Sequence, residues 1–146
     1  MSIKGGQPDA FGWFGNLTQI KLLATDFVTD NDALTYGGVA TNETNDAGAF
    51  QISTSAQELY CYKSIPKGYK ATGFRINSNV SLVCSAFECD LVGSSGVEKS
   101  TPTQYTNTDI SITNVNSTDA NFILLEIMTT ATTNWIFGGT ISIERI

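Results

Sequence analysis

Residues 80–91 carry the sequence VSLVCSAFECDL, and this stretch decides the fold class. Its first half is apolar at every second position from Val80 to Ala86, and its second half at every second position from Phe87 to Leu91. A period of two is typical of a β-strand, because successive side chains of a strand point to opposite faces. The change of parity predicts burial on both faces or a bulge at the centre of the strand.

The same period recurs further along the chain. Residues 108–113 alternate strictly, residues 69–76 are apolar at Ala71, Phe74 and Ile76, residues 135–144 alternate at their end, and residues 122–128 are almost wholly apolar. Ile65-Pro66-Lys67-Gly68 predicts a turn, since proline presets φ and glycine accepts a positive φ. No window has the spacing of an amphipathic helix. About eight strands predict an all-β domain, an antiparallel β-sandwich of jelly-roll-like type, with a barrel as the second choice.

The region before residue 69 is less regular. It predicts one strand from Ile20 to Val28 and a long polar loop over residues 33–48 with one short strand near Val39. Two more strands follow, and the second of them, over residues 58–64, carries aromatic side chains on one face.

The N-terminus differs in composition from the rest of the chain. Five glycine and proline residues surround Phe11, Trp13 and Phe14, so no strand or helix period is sustained there. We therefore divide the chain into an extended arm, residues 1–17, and a β-sandwich domain, residues 18–146. The three aromatic side chains either fold over their own core or dock on a neighbouring subunit, because aromatic residues are the usual anchors of interfaces.

Composition and charge exclude several partners. The chain has 146 residues, a net charge of −6 and only 15% charged residues, against roughly 25% in an average soluble domain. A negative field repels nucleic acid, whose binding depends on clustered basic residues. No apolar run is long enough to cross a membrane, and the N-terminus lacks the apolar core of a signal peptide. We expect neither a nucleic-acid partner nor a membrane partner.

The residue types also argue against catalysis. Histidine is absent, which removes the commonest general base and the nucleophile–histidine arrangements. Only a carboxylate pair of the glycosidase type remains, and the candidates are Glu88, Asp90 and Glu126. Outward or strand-end positions explain these three residues better, so the sequence predicts that the chain is not an enzyme.

The sequence predicts no metal or cofactor site. Hard oxygen ligands occur at Asp30, Asn31 and Asp32, with Asp46 as a further candidate, but calcium needs six to eight oxygens and the spacing of an EF-hand is absent. A solvated loop is the better interpretation of these residues.

Three cysteines cannot all pair within one chain. Cys84 and Cys89 are five residues apart on one predicted strand, which places them on opposite faces and makes a mutual disulfide geometrically poor. Together with Cys61 they are interpreted as reduced residues in or near the core.

The chain resembles a group of small virion structural proteins of marine tailed bacteriophages. The shared features are an apolar strand that ends in D-F, an I-P-x-G turn, a strand with an F-E-x-D pattern and a G-G-x-I close; here they fall at residues 20–28, 65–72, 86–91 and 138–141. This resemblance implies a structural protein located in the virion, either a decoration (cement) protein on the capsid or a tail-associated module.

These observations lead to one functional prediction and two alternatives. The first is a capsid decoration protein that binds the major capsid protein or other virion proteins, and that assembles as a homo-oligomer, a trimer, tied to its lattice by the arm. The second is a tail-fibre or spike module that binds the host surface. The third is a carbohydrate-binding β-sandwich that uses exposed aromatic side chains as stacking platforms; the candidates are Tyr60, Tyr62, Tyr69 and Trp135.

Overall fold

The computed structural model describes residues 17–29, 37–42, 47–52, 58–93 and 95–146. Within these residues the chain forms twelve β-strands and one short 3₁₀ turn at Ala24–Asp26. The strands are β1 (Gln19–Leu23), β2 (Phe27–Thr29), β3 (Gly37–Asn42), β4 (Ala47–Ile52), β5 (Glu58–Lys63), β6 (Tyr69–Ser78), β7 (Val83–Asp90), β8 (Val97–Glu98), β9 (Gln104–Tyr105), β10 (Ile110–Asn116), β11 (Asn121–Met128) and β12 (Trp135–Arg145).

The strands form two antiparallel sheets that pack face to face. The first sheet has the order β9-β7-β11-β5-β2, and β8 pairs with β7 at Phe87 and Glu88. The second sheet has the order β10-β6-β12-β4-β3, with β1 paired to β12. Every one of these pairs is antiparallel, and the prediction of an antiparallel β-sandwich is confirmed.

Eight of the described strands follow the jelly-roll order. The first described strand, β1, lies beside the last strand, β12, and their sheet continues through β6 to β10. The facing sheet runs β5-β11-β7-β9. This arrangement of two interleaved Greek keys is the one that a jelly roll requires, and β2, β3, β4 and β8 extend it towards the sheet edges.

The core lies between the two sheets and explains the alternating sequence pattern. On β11 the inward side chains of Ile123, Leu125 and Ile127 are at most 1% exposed. Facing strands contribute similar side chains, such as Ile76 and Ile141. Full burial of each such side chain stabilises the fold by about 1.5–3 kcal/mol before the loss of conformational entropy is counted.

The first predicted strand is two strands in the structure. The chain leaves the second sheet after β1, passes through the 3₁₀ turn at Ala24–Asp26 and enters the first sheet as β2. The backbone N–H of Leu23 donates to Asp26 Oδ2 at 2.8 Å, and this bond closes the turn. Alternation alone cannot show such a change of sheet, because both strands keep an apolar inner face.

The apolar positions along β7 change parity because the outer face of this strand also carries apolar side chains, and not because the strand contains a bulge. The register between β7 and β11 runs without a shift from Val83 to Asp90, so of the two alternatives that the sequence left open, burial on both faces or a bulge, the bulge is not formed. Cys84 and Ala86 are fully buried on the inner face, whereas Phe87 and Cys89 are partly buried on the outer face. Both faces of this strand therefore carry apolar side chains.

The glycine pair at residues 138–139 lies inside β12. The register of β12 against β6 shifts between Ile136 and Gly138, and Gly138 has a φ of 136°. A Cβ atom on Gly139 would lie 2.0 Å from the carbonyl oxygen of Arg75, so the two backbones could not approach as they do. These glycines allow the central strand of the second sheet to change its register without leaving the sheet.

No helix in the described part of the chain is long and apolar enough to span a membrane.

Candidate functional site

The outer face of the first sheet carries an unusual set of aromatic side chains. Tyr62 on β5 lies opposite Leu124 on β11, and Leu124 lies opposite Phe87 on β7. Tyr60 and Phe122 occupy the same face, two residues away along their strands. We call this surface the aromatic face and define it by these five residues, Tyr60, Tyr62, Phe87, Phe122 and Leu124.

Three of the rings form a row that runs diagonally over β5 and β11. The ring centroids of Tyr60 and Tyr62 are 6.5 Å apart, and those of Tyr62 and Phe122 are 5.9 Å apart. The interplanar angles of 45° and 42° correspond to tilted pairs, which aromatic rings favour over a direct face-to-face stack. Tyr62, the central ring, is 54% exposed, so a flat apolar molecule has access to it.

The carboxylates of Glu58 and Glu126 lie at the Tyr60 end of this row. The hydroxyl group of Tyr60 lies 3.0 Å from Glu58 Oε1 and 3.3 Å from Glu126 Oε2, and its single proton can be donated to only one of them at a time. Tyr60 lies near one oxygen of each carboxylate, and the second oxygen of each can accept a hydrogen bond from another donor. The row of rings therefore ends at hydrogen-bond acceptors.

The environment of Tyr60 and Glu126 affects their protonation. Burial, followed by the hydrogen bond to Glu58, raises the pKa of Tyr60, so its phenol remains a donor at neutral pH. Burial, followed by the charge of Glu58, raises the pKa of Glu126 above its ordinary value. The charge of Glu58 so close to Glu126 disfavours ionisation of Glu126. A ligand group that donates a hydrogen bond to these carboxylates would reduce the repulsion between them.

A cleft of about 380 Å³ opens at the other end of the ring row. Its volume lies within the range of roughly 300–1,000 Å³ that is typical of small-molecule sites. Apolar surface comes from the rings of Tyr62 and Phe122 and from aliphatic neighbours, and polar groups surround it. The lining residues are Tyr62, Lys63, Ser64, Ile65, Leu91, Thr118, Asp119, Asn121 and Phe122.

The wall of this first cleft is held by a network centred on Asn121, which is 8% exposed. Its Nδ2 donates to Glu88 Oε2 at 2.7 Å and to the carbonyl oxygen of Asn116 at 2.8 Å. Its Oδ1 accepts from the backbone N–H of Thr118 at 2.9 Å. Glu88 in turn pairs with Lys99 at 3.2 Å. These contacts fix the connection between β10 and β11 before any ligand arrives.

A second, smaller cleft of about 230 Å³ lies on the β7 side of Phe122. Gly96 packs against the floor of this cleft, and a Cβ atom there would lie 2.9 Å from Cys89 Sγ. The lining residues are Cys89, Asp90, Gly93, Ser95, Gly96, Phe122 and Leu124. Phe122 thus contributes to both clefts.

The structure brings together two of the four aromatic candidates that the sequence singled out. Tyr60 and Tyr62 lie side by side on the aromatic face, as described above. Tyr69 is 6% exposed and packs under the guanidinium group of Arg145 at 5.6 Å, so its selection as an exposed platform is wrong. Trp135 is only partly exposed and begins β12 in the second sheet, away from the other rings.

Sequence reasoning missed Phe122 and Glu58 as site residues. A signal for Phe122 was present in residues 122–128, which are apolar at every position except Glu126, because a strand with one solvated face has no reason to be so apolar. Glu58 lies two residues before Tyr60, so the period of β5 places both on one face, and only the proximity of Glu126 depends on the register of β5 against β11.

The three carboxylates considered for catalysis do not converge. Glu126 lies on the aromatic face, opposite Ser85 on β7. Glu88 has the opposite parity to Ser85 on the same strand, so it projects from the other side of the sheet, where it is paired as described above. Asp90 is the last residue of β7, five residues beyond Ser85, and lines the second cleft. The glycosidase-like pair that the sequence left open is therefore not formed by these residues.

Two sets of predictions fall outside the described residues. They are the arm residues Phe11, Trp13 and Phe14, and the oxygen ligands Asp30, Asn31, Asp32 and Asp46. Both sets, and the boundary between arm and domain, stay predictions.

All three cysteines are free thiols, as the sequence predicted. Cys61 and Cys84 are fully buried in the core, and burial raises the pKa of each thiol to about 12. Cys89 lies on the opposite face from Cys84 and is partly buried beside the second cleft. Burial, with the charges of Asp90 and Glu88, also raises its pKa.

Comparison with known proteins found resemblances of fold only. No family model matches the chain. No curated protein matches it either. Among solved structures, it is similar to the Clostridium thermocellum N-terminal endo-1,4-β-D-xylanase 10B, a structure of CBM22-1–GH10 modules complexed with xylohexaose, at 18% identity and a TM-score of 0.46. The match covers 88% of this chain and 28% of that one, so this chain spans less than a third of the xylanase structure.

A second similar structure is TmCBM61 in complex with β-1,4-galactotriose, at 14% identity and a TM-score of 0.47. There the match covers 85% of this chain and 91% of the other.

Proposed function

We propose that this chain is a carbohydrate-binding β-sandwich and that the aromatic face is its binding surface. The observation that carries the proposal is the row of Tyr60, Tyr62 and Phe122, which leads from two carboxylates to an open cleft. A carbohydrate-binding domain that uses aromatic stacking platforms should carry them in a row on one exposed face. Tyr60 and Tyr62, two of the four residues predicted from the sequence, lie in such a row.

The chemistry of a sugar matches both parts of this surface. One face of a pyranose ring is a patch of C–H groups, which packs against the negative face of an aromatic ring and removes apolar surface from water. The hydroxyl groups around its rim can donate hydrogen bonds to the carboxyl oxygens of Glu58 and Glu126. Apolar lining with a few placed polar groups is the usual composition of a ligand site.

The test uses a variant of the most exposed ring. Wild-type protein is screened on a glycan array and the strongest ligand is titrated by isothermal calorimetry. Tyr62→Ala removes a central, half-exposed platform, and we expect at least a tenfold loss of affinity, equivalent to about 1.4 kcal/mol. Phe137→Ala is the matched control, because Phe137 is 46% exposed but lies on β12 of the second sheet.

Two results would contradict the proposal. One is the absence of binding to every glycan on the array. The other is an equal effect of the Tyr62 and Phe137 substitutions, since the affinity would then not depend on the aromatic face. Thermal unfolding of both variants verifies that each is folded, and exposed positions such as these change stability by only about 0.5 kcal/mol.

A contact with protein is the second candidate, and one observation favours it. Beside the rings, the same face of the first sheet exposes Val28, Val83, Tyr105 and Met128, which are 36–46% exposed. Exposed apolar side chains gathered on one face are characteristic of interaction surfaces. The capsid decoration role, with a trimer and a capsid partner, is a prediction of this kind.

The two candidates differ in what the exposed aliphatic side chains do. For a self-associating particle protein, Val83→Lys should convert a trimer into a monomer in light scattering after size exclusion, because a charge in an interface core is costly. For a carbohydrate-binding domain the same substitution should leave the molar mass unchanged. A wild-type protein that is monomeric at all concentrations tested contradicts the trimer.

A further inference from the structure

Phe122 divides the end of the aromatic face into two binding spaces. It forms part of the wall of the first cleft together with Tyr62, and part of the wall of the second cleft together with Cys89. Cys89 is its direct neighbour on β7, and Tyr62 lies diagonally across on β5. One ring is therefore shared by two spaces that open on opposite sides of β11.

The line through the two clefts crosses the strands. The first cleft is lined by the ends of β5 and β11, with Leu91 reaching it from the end of β7, and the second is lined by β7 and β11 with the segment that follows β7. Strands β5 and β7 are two interstrand spacings apart, a distance of about 10 Å. A single sugar ring is too short to occupy both spaces, whereas consecutive units of a chain can occupy them on either side of the ring.

The charges around this line are negative. Asp119 lines the first cleft and Asp90 the second, and Glu98 projects from β8 opposite Phe87 on the aromatic face. Lys63 is the basic residue of the first cleft, and its ammonium group lies 3.1 Å from Asp26 Oδ1, which compensates its charge. Anionic sugars such as uronates would meet like charges here and lose affinity.

We infer that the aromatic face binds a linear, neutral oligosaccharide across its strands, with separate sugar units in the two clefts beside the Phe122 ring. This inference rests on the proposed carbohydrate-binding function. It specifies the class of ligand: an oligosaccharide of more than one sugar unit, without carboxylate or sulfate groups, of which two units lie on either side of the Phe122 side chain.

The test measures affinity against chain length and against charge. The probes are gluco-, manno-, galacto- and xylo-oligosaccharides from the monosaccharide to the hexasaccharide, with oligogalacturonates as the charged series, titrated by calorimetry on the full chain. We expect the affinity for one neutral series to rise at least about tenfold from the monosaccharide to the trisaccharide, and the uronate series to bind at least about tenfold more weakly than the neutral series.

A variant of the second cleft separates this inference from its premise. A Cβ atom on Gly93 would have Asp90 Cβ as its nearest neighbour, at 3.8 Å, so Gly93→Leu fills space at the second cleft with little disturbance of the fold. We expect the rise in affinity from the monosaccharide to the trisaccharide to shrink at least about fivefold, because a unit of the longer chain can no longer enter the second cleft.

The outcomes are distinguishable. Equal affinity for mono- and oligosaccharides overturns the two-subsite inference and leaves carbohydrate binding intact. Uronates that bind as well as neutral chains overturn the charge argument and hence the substrate class. An unchanged length dependence in the Gly93 variant overturns the assignment of the second cleft, and if that variant does not fold, the length series on wild-type protein still decides. Absence of binding to any series removes the proposed function itself.

Discussion

Asn121 provides the sharpest prediction about how the site is built. Its side chain is nearly buried and makes three hydrogen bonds, to Thr118, Asn116 and the charged Glu88. A neutral hydrogen bond contributes about 0.5–1.5 kcal/mol and one to a charged group about 1.5–3 kcal/mol. Because Glu88 keeps its contact with Lys99, we take the lower part of this range. Asn121→Ala should therefore lower the free energy of unfolding by about 3 kcal/mol.

The assay is thermal unfolding followed by circular dichroism. For a domain of this size a loss of 1 kcal/mol lowers the melting temperature by about 2–4 °C, so we expect a decrease of about 6–12 °C. Asn114→Ala is the matched control, because Asn114 is exposed on β10 and its loss should change stability by no more than about 0.5 kcal/mol.

Asn121→Asp adds a test of the charge at the same position. The new carboxylate keeps one acceptor for Thr118 but places its other oxygen where Nδ2 now donates to Glu88 Oε2 at 2.7 Å. Burial beside a carboxylate raises the pKa of such a group in the folded state. The penalty is therefore complete above that raised pKa and disappears as the pH falls towards the ordinary aspartate value of about 3.9.

These results would refute the reasoning in different ways. If Asn121→Ala melts at the same temperature as the Asn114 control, the network does not hold the cleft wall. If the difference between Asn121→Asp and wild type does not depend on pH, the repulsion with Glu88 is absent.

Three further predictions concern the core and the face. Leu125→Ala should lower the free energy of unfolding by about 2–5 kcal/mol in a urea titration, since this fully buried side chain leaves a cavity between the sheets, and a smaller loss would contradict its central position. Ellman's reagent at mildly alkaline pH should leave Cys61 and Cys84 unmodified until guanidinium unfolds the protein, because burial raises the pKa of both thiols to about 12. Cys89 is the thiol expected to react first, and rapid reaction of all three thiols in the folded protein would contradict this prediction. Glu126→Gln should raise the melting temperature at neutral pH, because a carboxylate whose pKa is raised destabilises the folded state above that pKa. The difference in melting temperature between the variant and wild type should shrink as the pH falls through the raised pKa and vanish below about 4.3. A difference that does not depend on pH would count against this prediction.

The strands of the inner core were largely predictable. Residues 108–113 alternate because one of their faces is buried and the other is exposed to solvent, so their period is a direct record of the environment, whereas the consecutive burial of Gly73 and Phe74 interrupts the alternation of β6. The turn at residues 65–68 was predictable for a different reason, since Gly68 has a φ of 84° that few other residues adopt. Local chemistry decided these elements.

The candidate site could be predicted only in part. The alternation of β5 is enough to place Tyr60 and Tyr62 on one face, because they are two residues apart on a strand. The selection of Tyr69 was wrong because an exposed and a buried tyrosine have the same local sequence signature, and only the packing of Arg145 and the second sheet distinguishes them.

The sequence by itself determined the fold class, because the period of two, the missing helical spacing and the turn residues are properties of neighbouring residues. Tertiary structure alone decided the site. Tyr60, with Glu58 two residues before it on the same strand, meets Glu126 through the register of β5 against β11, and the contact between Tyr60 and Glu126 spans 66 residues of sequence. Phe122 becomes the wall of two clefts because β11 is central in its sheet. Register and strand order depend on the whole packed core, and no local pattern encodes them.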